Sequence, residues 1–173
     1  MPGRYDFLLQ GAPSVIEIRH ITRHDSLYEQ ACQLREQVLL RPLDKDIAWF
    51  EREYAQLDRL AECFVAVLNH PTGSRVVGVV LLVPDYPEPG VGKLMQMAVN
   101  PQRQGEGIGR KLVVALEVRA FGEIGLTQVF CHAQNTAIGF YERLGWATDP
   151  EEFFEAGIPH HRMWIGQTIR DDA

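Results

Sequence analysis

An apolar run that leads directly into a glycine-rich turn constrains the fold of this chain more than any other feature. Residues 94–99 read Leu-Met-Gln-Met-Ala-Val, and residues 104–109 read Gln-Gly-Glu-Gly-Ile-Gly. Apolar side chains then recur at Ile108, Leu112 and Leu116, as on one face of a helix. This pattern predicts a strand, a tight turn and an amphipathic helix. Glycine lets a backbone approach a ligand closely and the first amides of a helix attract negative charge, so the turn is a candidate anion site.

Two common phosphate-binding loops do not fit the residues of this turn. A Walker A loop places Gly-Lys-Ser/Thr at the start of the helix, whereas residues 109–112 read Gly-Arg-Lys-Leu. A dinucleotide-binding fingerprint needs a glycine in place of Arg110 and an acidic residue at the end of the next strand, where residues 130–132 read Phe-Cys-His. The pattern that remains over residues 104–109 is Gln-x-x-Gly-x-Gly.

A second helix with both ends marked lies downstream of a short apolar run at residues 126–132. Residues 135–146 read Asn-Thr-Ala-Ile-Gly-Phe-Tyr-Glu-Arg-Leu-Gly-Trp. Asn135 is a candidate N-cap, and Gly145 is a candidate helix stop. Apolar and aromatic side chains recur at the helical spacing of a core face, at Ala137, Phe140, Tyr141 and Leu144.

In this order and at this distance, the two motifs resemble the acyl-CoA motifs of the GCN5-related N-acetyltransferases (GNAT). The resemblance extends from about Val15 to the end of the chain, and its motifs are specific from Lys93 to Met163. Residues 155–160, Glu-Ala-Gly-Ile-Pro-His, are similar to a segment of the bacterial branch that includes ElaA-like proteins.

The resemblance implies a single α/β domain with a mixed sheet. Its element order is β-α-α-β-β-β-α-β-α-β-β, and two parallel central strands splay apart to hold acyl-CoA. We therefore expect a loose N-terminal arm over residues 1–13 and an acetyltransferase domain over residues 14–173.

The resemblance also implies acetyl-CoA as co-substrate and no metal. The backbone of the splayed strand and of the glycine turn would hold the pantetheine arm and the pyrophosphate, and the second helix would complete the site. The implied cofactor-binding residues are Met97, Ala98, Val99, Gln104, Gly105, Gly107, Ile108, Gly109, Arg110, Asn135, Phe140 and Tyr141.

Tyr141 is the candidate acid for the departing thiolate. A phenol with a pKa of about 10 stays protonated at neutral pH, whereas a thiol has a pKa of about 8.5. Many family members carry a glutamate base on the central strand, where this chain has Gln96, which cannot accept a proton. His160 is the candidate base, and His132 or a water molecule is the alternative, because histidine titrates near neutral pH.

The implied function is transfer of an acetyl group from the thioester to a primary amine of a small molecule or peptide, by direct attack. The intact cofactor turn, together with the missing glutamate, leaves one alternative: a non-catalytic sensor module that binds acyl-CoA. A homodimer is one of the assemblies that the sequence leaves open.

Composition narrows the range of partners. The formal net charge of −6 argues against nucleic acid, whose phosphates need a basic surface. No apolar stretch is long enough to span a bilayer and the first residues do not begin a secretory signal, so we expect no membrane partner and a cytoplasmic location. The three isolated cysteines form no Cys-x-x-Cys pair and predict reduced core thiols.

The first half of the chain is predicted from its pattern alone. Residues 15–21 alternate as a strand, and Asp25-Ser26 can cap a helix. Residues 44–57 predict a second helix, and residues 63–68 and 76–83 predict a hairpin joined by a turn at residues 69–73.

Overall fold

The computed structural model describes residues 15–167, so the arm predicted over residues 1–13 lies outside the described residues. These residues form a seven-stranded sheet in the order β1-β2-β3-β4-β5-β7-β6. Neighbouring strands are antiparallel except for β4 and β5, which are parallel. The strands are β1 (Ile16–Ile21), β2 (Glu62–His70), β3 (Gly73–Val83), β4 (Val91–Val99), β5 (Gln128–Gln134), β6 (Ala147–Glu155) and β7 (Ile158–Gly166).

Five α-helices connect these strands. They are α1 (Tyr28–Arg35), α2 (Ile47–Glu53), α3 (Ala55–Leu60), α4 (Ile108–Glu117) and α5 (Ile138–Arg143). Turns of π-helix at Glu36–Leu40 and Val118–Ile124 extend α1 and α4. None of the helices in the described part of the chain has the length and apolarity to cross a membrane.

The predicted α/β fold and its mixed sheet are confirmed, and three local predictions are wrong. Asp25-Ser26 does not cap the first helix, because α1 follows Leu27 with no side-chain cap, and Asp25 Oδ1 accepts from the Leu27 amide at 2.8 Å. The single helix predicted over residues 44–57 is two helices that break at Tyr54, with Asp46 capping the first by accepting a 2.7 Å hydrogen bond from the Trp49 amide. Asn135 is not an N-cap, because it begins a 3-10 turn (Asn135–Ala137) whose flanking residue makes no side-chain cap. Gly145 does end the second helix in a left-handed conformation, with φ of 88°.

Two apolar layers enclose the sheet. On one face, α4 packs through residues such as Leu112 and Leu116. On the other face, α1 packs through Ala31 and Leu34. The central strands β2 and β3 contribute side chains to both layers, which explains why they read as continuous apolar runs instead of alternating ones.

A bulge in β4 separates the two parallel strands. β4 pairs with β5 only at Val91–Lys93, opposite residues 128–130. Across β3, Leu81 pairs with Met95 and Val79 with Ala98, so β4 carries one extra residue between these positions. Gln96, in this segment, has the left-handed φ of 53° that is uncommon outside glycine. The strand bends there, and the predicted splay between β4 and β5 is confirmed.

An ion pair with two hydrogen bonds joins the start of β2 to the turn that follows α4. Arg119 donates from Nε to Glu62 Oε2 at 2.8 Å and from Nη2 to Oε1 at 2.9 Å. This guanidinium lowers the pKa of the Glu62 carboxyl below its usual 4.5. The pair therefore ties α4, which carries the glycine turn, to the central sheet.

Candidate active site

A cavity of about 340 Å³ occupies the wedge between the separated strands. Its walls come from the end of β4, from β5, from α5 and from the β6–β7 turn, together with the segment that runs from α1 to α2. The residues lining it on the sheet side are Lys93, Leu94, Met95, Gln96, Met97, Cys131, His132, Ala133, Gln134, Thr136, Ala137, Tyr141, Glu155, Ala156 and His160.

Tyr141 borders the cavity from α5 and is almost fully buried, with 4% of its surface exposed. Its ring packs edge-on against Phe140 at a centroid distance of 5.0 Å and lies tilted against Trp146 at 5.1 Å. Burial, followed by the neighbouring Cys131 thiol, raises the pKa of Tyr141 well above its usual 10. The phenol is therefore held in place and keeps its proton at neutral pH.

A carboxylate stands between the two candidate histidines on the other side of the wedge. His132 Nδ1 lies 3.1 Å from Glu155 Oε1, and His160 Nε2 lies 3.7 Å from Glu155 Oε2. Hydrogen bonding from His132 lowers the pKa of Glu155, so this carboxylate is ionised at neutral pH. An ionised carboxylate only accepts hydrogen bonds, so His132 must donate from Nδ1, which leaves its Nε2 as the proton acceptor.

His160 is oriented by the backbone. Its Nδ1 lies 2.7 Å from the carbonyl oxygen of Ile158, to which it donates, and its ring stacks on Phe153. Phe153 also meets the edge of His132, at a centroid distance of 4.9 Å. Both imidazoles are thus fixed against one aromatic ring and one carboxylate.

The acid and base candidates lie on opposite faces of the sheet. Along β5, Cys131 belongs to the apolar layer of α4 and contacts Tyr141, whereas the next residue, His132, points to the opposite face because strand side chains alternate. The cavity is lined by residues from both faces of the sheet. The gap between β4 and β5 therefore connects the two faces through the sheet.

The glycine turn fits a phosphate-bearing group. Gly105 and Gly107 have left-handed φ values of 82° and 78°, and an added Cβ at either would meet no atom within 4 Å, so the space above the backbone is open. The first hydrogen bond of α4 runs from the Lys111 amide to the Gly107 carbonyl at 3.1 Å. Within residues 15–167 the amides of residues 108–110 have no backbone acceptor, and such amides bind anions.

Most of the predicted site residues fall into two groups. Met97, Tyr141 and His160 line the cavity. The turn residues Gln104, Gly105, Gly107, Ile108, Gly109 and Arg110 lie beyond the end of β4, at the N-terminus of α4.

Phe140 links the groups, because its ring lies 3.3 Å from where a Cβ on Gly109 would be. Within the described residues, the hydrogen bonds of the Asn135 side chain go to neither group. This side chain donates to Glu152 at 2.8 Å and accepts from His161 at 2.7 Å.

Beyond the bulge, the residues predicted to pair with pantetheine run along an edge that β5 does not cover. Met97 and Val99 pack on the layer of α4, and Ala98 packs on the layer of α1. Within the described part of the chain, no strand pairs with this part of β4 on the side of β5. An extended ligand with amide groups can therefore bind there as a strand would.

The structure shows what holds Gln96. Arg35, 1% exposed, donates from Nε to Gln96 Oε1 at 3.2 Å, and its guanidinium lies 4.8 Å from the centre of the Phe50 ring. Asp58 supplies a counter-charge at 3.9 Å from Arg35 Nη2. Because the amide oxygen of Gln96 is taken, its NH₂ group is the part available to the cavity.

Several cavity residues escaped the sequence analysis. Lys93 and the aromatic residues Trp49, Phe50 and Tyr54 reach the site from distant parts of the chain. Glu155 begins the Glu-Ala-Gly-Ile-Pro-His segment at residues 155–160, and that position was the one available signal for its role.

Cys131 keeps its thiol form in this cavity. Burial raises its pKa to about 12, so the nucleophilic thiolate is scarce at neutral pH. Across the described residues, no group of three or more His, Cys, Asp or Glu side chains is arranged to hold a metal ion.

Comparisons with known proteins assign the family. A family model described as an acetyltransferase (GNAT) domain matches residues 42–166. The uncharacterized protein YyaT of Bacillus subtilis (strain 168) is 30% identical over 155 residues, which cover 86% of this chain and 94% of YyaT. A second protein of that organism is 40% identical over 82 residues, 47% of this chain, and the chain spans only 52% of that relative's length.

Solved structures share the fold. Escherichia coli ElaA superposes with a TM-score of 0.65 at 16% identity, covering 87% of this chain and 99% of ElaA. A Bacillus subtilis acetyltransferase in complex with CoA gives 0.62 at 18% identity, covering 88% and 99%. An aminoglycoside 6'-N-acetyltransferase complexed with coenzyme A gives 0.68 at 16%, covering 87% and 96%. With the matched family domain, these findings show that the chain belongs to the GNAT acetyltransferase family.

Proposed function

We propose that this protein is an acetyl-CoA-dependent N-acetyltransferase that acts on a primary amine of a small molecule or peptide. One observation carries the proposal. A single cavity is lined both by the buried Tyr141 and by the His132–Glu155 pair, which lie on opposite faces of the sheet. A reaction that needs an acid at one end and a base at the other fits this arrangement.

The base removes a proton from the acceptor ammonium. His132 is the better placed of the two histidines, because its side chain is 29% exposed whereas that of His160 is 7% exposed, and because Glu155 holds its Nδ1 proton and frees its Nε2. The neutral amine nitrogen then bonds to the thioester carbonyl carbon, the carbon–sulfur bond breaks, and the nitrogen releases its second proton to water as it becomes the amide nitrogen. Tyr141 gives its proton to the departing sulfur, and an amide of β4 beyond the bulge donates to the carbonyl oxygen as it gains charge.

Coenzyme A binding is supported by the chemistry of the glycine turn and by the CoA-bound structures of the same fold. In this proposal, the free amides of residues 108–110 hold the pyrophosphate. The exposed cations Arg110 and Lys111 add to the positive potential of the helix N-terminus. The uncovered edge of Met97–Val99 pairs with the amides of the pantetheine arm.

A sensor that binds acyl-CoA without turnover is the second candidate. It is favoured by Gln96, an amide that cannot accept a proton and whose oxygen is already bound by Arg35. The two candidates share the cofactor site and differ only in whether the histidines act on an acceptor.

The test is an acetylation assay on the purified protein. Acetyl-CoA is incubated with a panel of polyamines, amino acids and peptides, and both free thiol and acetylated product mass are measured. We expect His132→Ala to lower kcat by on the order of 10²-fold and His160→Ala to lower it less. Acetyl-CoA binding without any acetylated product would establish the sensor instead, and no binding at all would contradict both candidates.

Glu155→Gln supplies a second readout. The pKa of the Glu155 carboxyl lies below its usual 4.5 because His132 donates to it, so the carboxylate is present throughout the neutral range. The amide in Glu155→Gln no longer compensates the positive charge that the base gains, so kcat/KM at neutral pH should fall. An unchanged kcat/KM in this variant would show that Glu155 does not assist the base.

A further inference from the structure

Among residues 15–167, Lys93 is the one lysine that lines the cavity, and the proposed reaction does not use it. It is half-buried on β4, in the segment that still pairs with β5. Its ammonium lies 5.8 Å from the ring centre of Tyr86 and 6.0 Å from that of Phe130. Among the described residues it makes no hydrogen bond and no ion pair. A charged group in this setting has three donors and no acceptor for them.

The nearby carboxylate is already engaged. Glu155 acts on Lys93 through charge alone, while its oxygens lie 3.1 Å from His132 and 3.7 Å from His160. Burial lowers the pKa of Lys93 despite this attraction. An anion bound in the cavity would compensate for the water that Lys93 has lost.

The phosphates of coenzyme A are not that anion. Lys93 and Val99 are six residues apart on an extended strand, a distance of about 20 Å, and the glycine turn lies farther along the chain. Lys93 also precedes the bulge and lies with Phe130 and Glu155, on the face opposite Tyr141 and Cys131. The anion that compensates the charge of Lys93 must therefore be part of the acceptor molecule.

The remaining wall of this part of the cavity is apolar. It comes from the end of α1, from the following turns and from α2, and it consists of Leu39, Leu40, Leu43, Trp49, Phe50 and Tyr54. Such a wall binds an aliphatic or aromatic group and disfavours a second positive charge. It faces a cation at Lys93 and the proposed base at His132.

We propose that the acceptor is an α-amino acid with a large apolar side chain, whose carboxylate binds Lys93 while its amine faces His132. This inference rests on the proposed function and adds the substrate class. Lys93 is then the residue that selects amines bearing a neighbouring carboxylate, and polycationic amines are poor acceptors because Lys93 repels them.

The experiment compares three acceptors that differ only at the carboxylate: L-phenylalanine, L-phenylalaninamide and phenethylamine. We expect the wild-type protein to prefer L-phenylalanine and to acetylate spermidine least. Lys93→Met should lower kcat/KM for L-phenylalanine by about 10- to 100-fold, mostly through KM, since a charge-assisted contact is lost. Because the same variant removes a positive charge that repels amines, it should raise kcat/KM for phenethylamine, and Lys93→Arg should restore part of the preference for L-phenylalanine.

Arg75→Met is the matched control, because Arg75 is an exposed cation at the hairpin end of β3, away from the cavity. It should not alter the preference. Equal losses on all three acceptors in Lys93→Met would show a structural role for Lys93 and overturn the inference, as would a wild-type preference for phenethylamine or spermidine.

A calorimetric titration separates this inference from the proposed function. If no amine is acetylated, the proposed function fails, and binding of L-phenylalanine to the CoA-loaded protein decides the inference alone. Binding that Lys93→Met abolishes supports it, and absence of binding to the wild-type protein overturns it.

Discussion

Burial determines the protonation state of Tyr141 and of the neighbouring Cys131 thiol. It raises the pKa of Tyr141 well above 10 and that of Cys131 to about 12, so both keep their protons at neutral pH. A protonated phenol can donate to a thiolate, whereas a protonated thiol is a poor nucleophile. Direct transfer of the acetyl group to the amine is therefore better supported than a route in which Cys131 first takes the acetyl group.

Replacing Tyr141 by phenylalanine tests the donor role with little change in packing. We expect Tyr141→Phe to lower kcat by on the order of 10²-fold, because the departing sulfur loses its proton donor. Acetyl-CoA affinity, measured by calorimetry, should be unchanged. Tyr28→Phe is the matched control, since Tyr28 is also partly buried, with a pKa raised to about 12, but lies on α1 outside the cavity lining. Wild-type turnover in Tyr141→Phe would remove this residue from the mechanism.

At the scale of elements, the turn before α4 depends on a backbone conformation that side chains rarely adopt. Gly107 has φ of 78°, so Gly107→Ala should destabilise the protein by about 1 kcal/mol. It should also weaken acetyl-CoA binding, because the free amides of α4 are displaced. Chemical denaturation and calorimetry measure the two effects.

Gly122→Ala provides the comparison for this turn. Gly122 lies in the π-helical extension of α4 with open space around it and an ordinary φ. Alanine there should stabilise the protein by about 0.5 kcal/mol, by restricting the unfolded chain, and should leave acetyl-CoA affinity intact. Equal effects of the two substitutions would contradict the special role of Gly107.

The ion pair between β2 and the turn after α4 makes stability depend on pH. The folded-state pKa of Glu62 lies below 4.5, so its contribution is present above that pH and is lost as the pH falls through the folded value. Glu62→Gln should lower stability at neutral pH by about 0.5–1 kcal/mol, as for an ion pair that water still reaches. The difference from wild type should shrink in acid denaturation as the pH falls from the unfolded-state value of 4.5 through the lower folded-state pKa. Glu123→Gln, which removes the more exposed partner of Arg119, should have a smaller effect.

Local patterns predicted those elements whose residues are contiguous in the sequence. The strand, turn and helix around Gly107 and the helix that carries Tyr141 follow from apolar spacing and from glycine at their ends. The break at Tyr54 and the bulge at Gln96 do not, because they depend on tertiary contacts such as that of Arg35 with Gln96 across 61 positions. Lys93 and Glu155 meet in the cavity only once β4, β5 and β6 are assembled.

At the scale of the whole molecule, ligand binding should be visible as global stability. Acetyl-CoA at 100 times its dissociation constant should add about 2.7 kcal/mol, since it binds only the folded chain. For a chain of this length the melting temperature should rise by about 5–10 °C. ATP and NAD, whose binding loops the turn does not match, should give no shift at the same concentration. Equal shifts by all three would mean that the turn binds phosphates without selecting coenzyme A.

The extra residue at Gln96 determines to which face of the sheet each later side chain of β4 points. Deleting that one position would restore strict alternation, exchange the inward and outward side chains of residues 97–99, and allow β4 to continue alongside β5. The sheet would then be continuous, and the proton donor and the proton acceptor would lie in separate compartments. Deleting a single residue at this point would thus close the gap between β4 and β5 and separate the two faces of the sheet, while leaving the strand order intact.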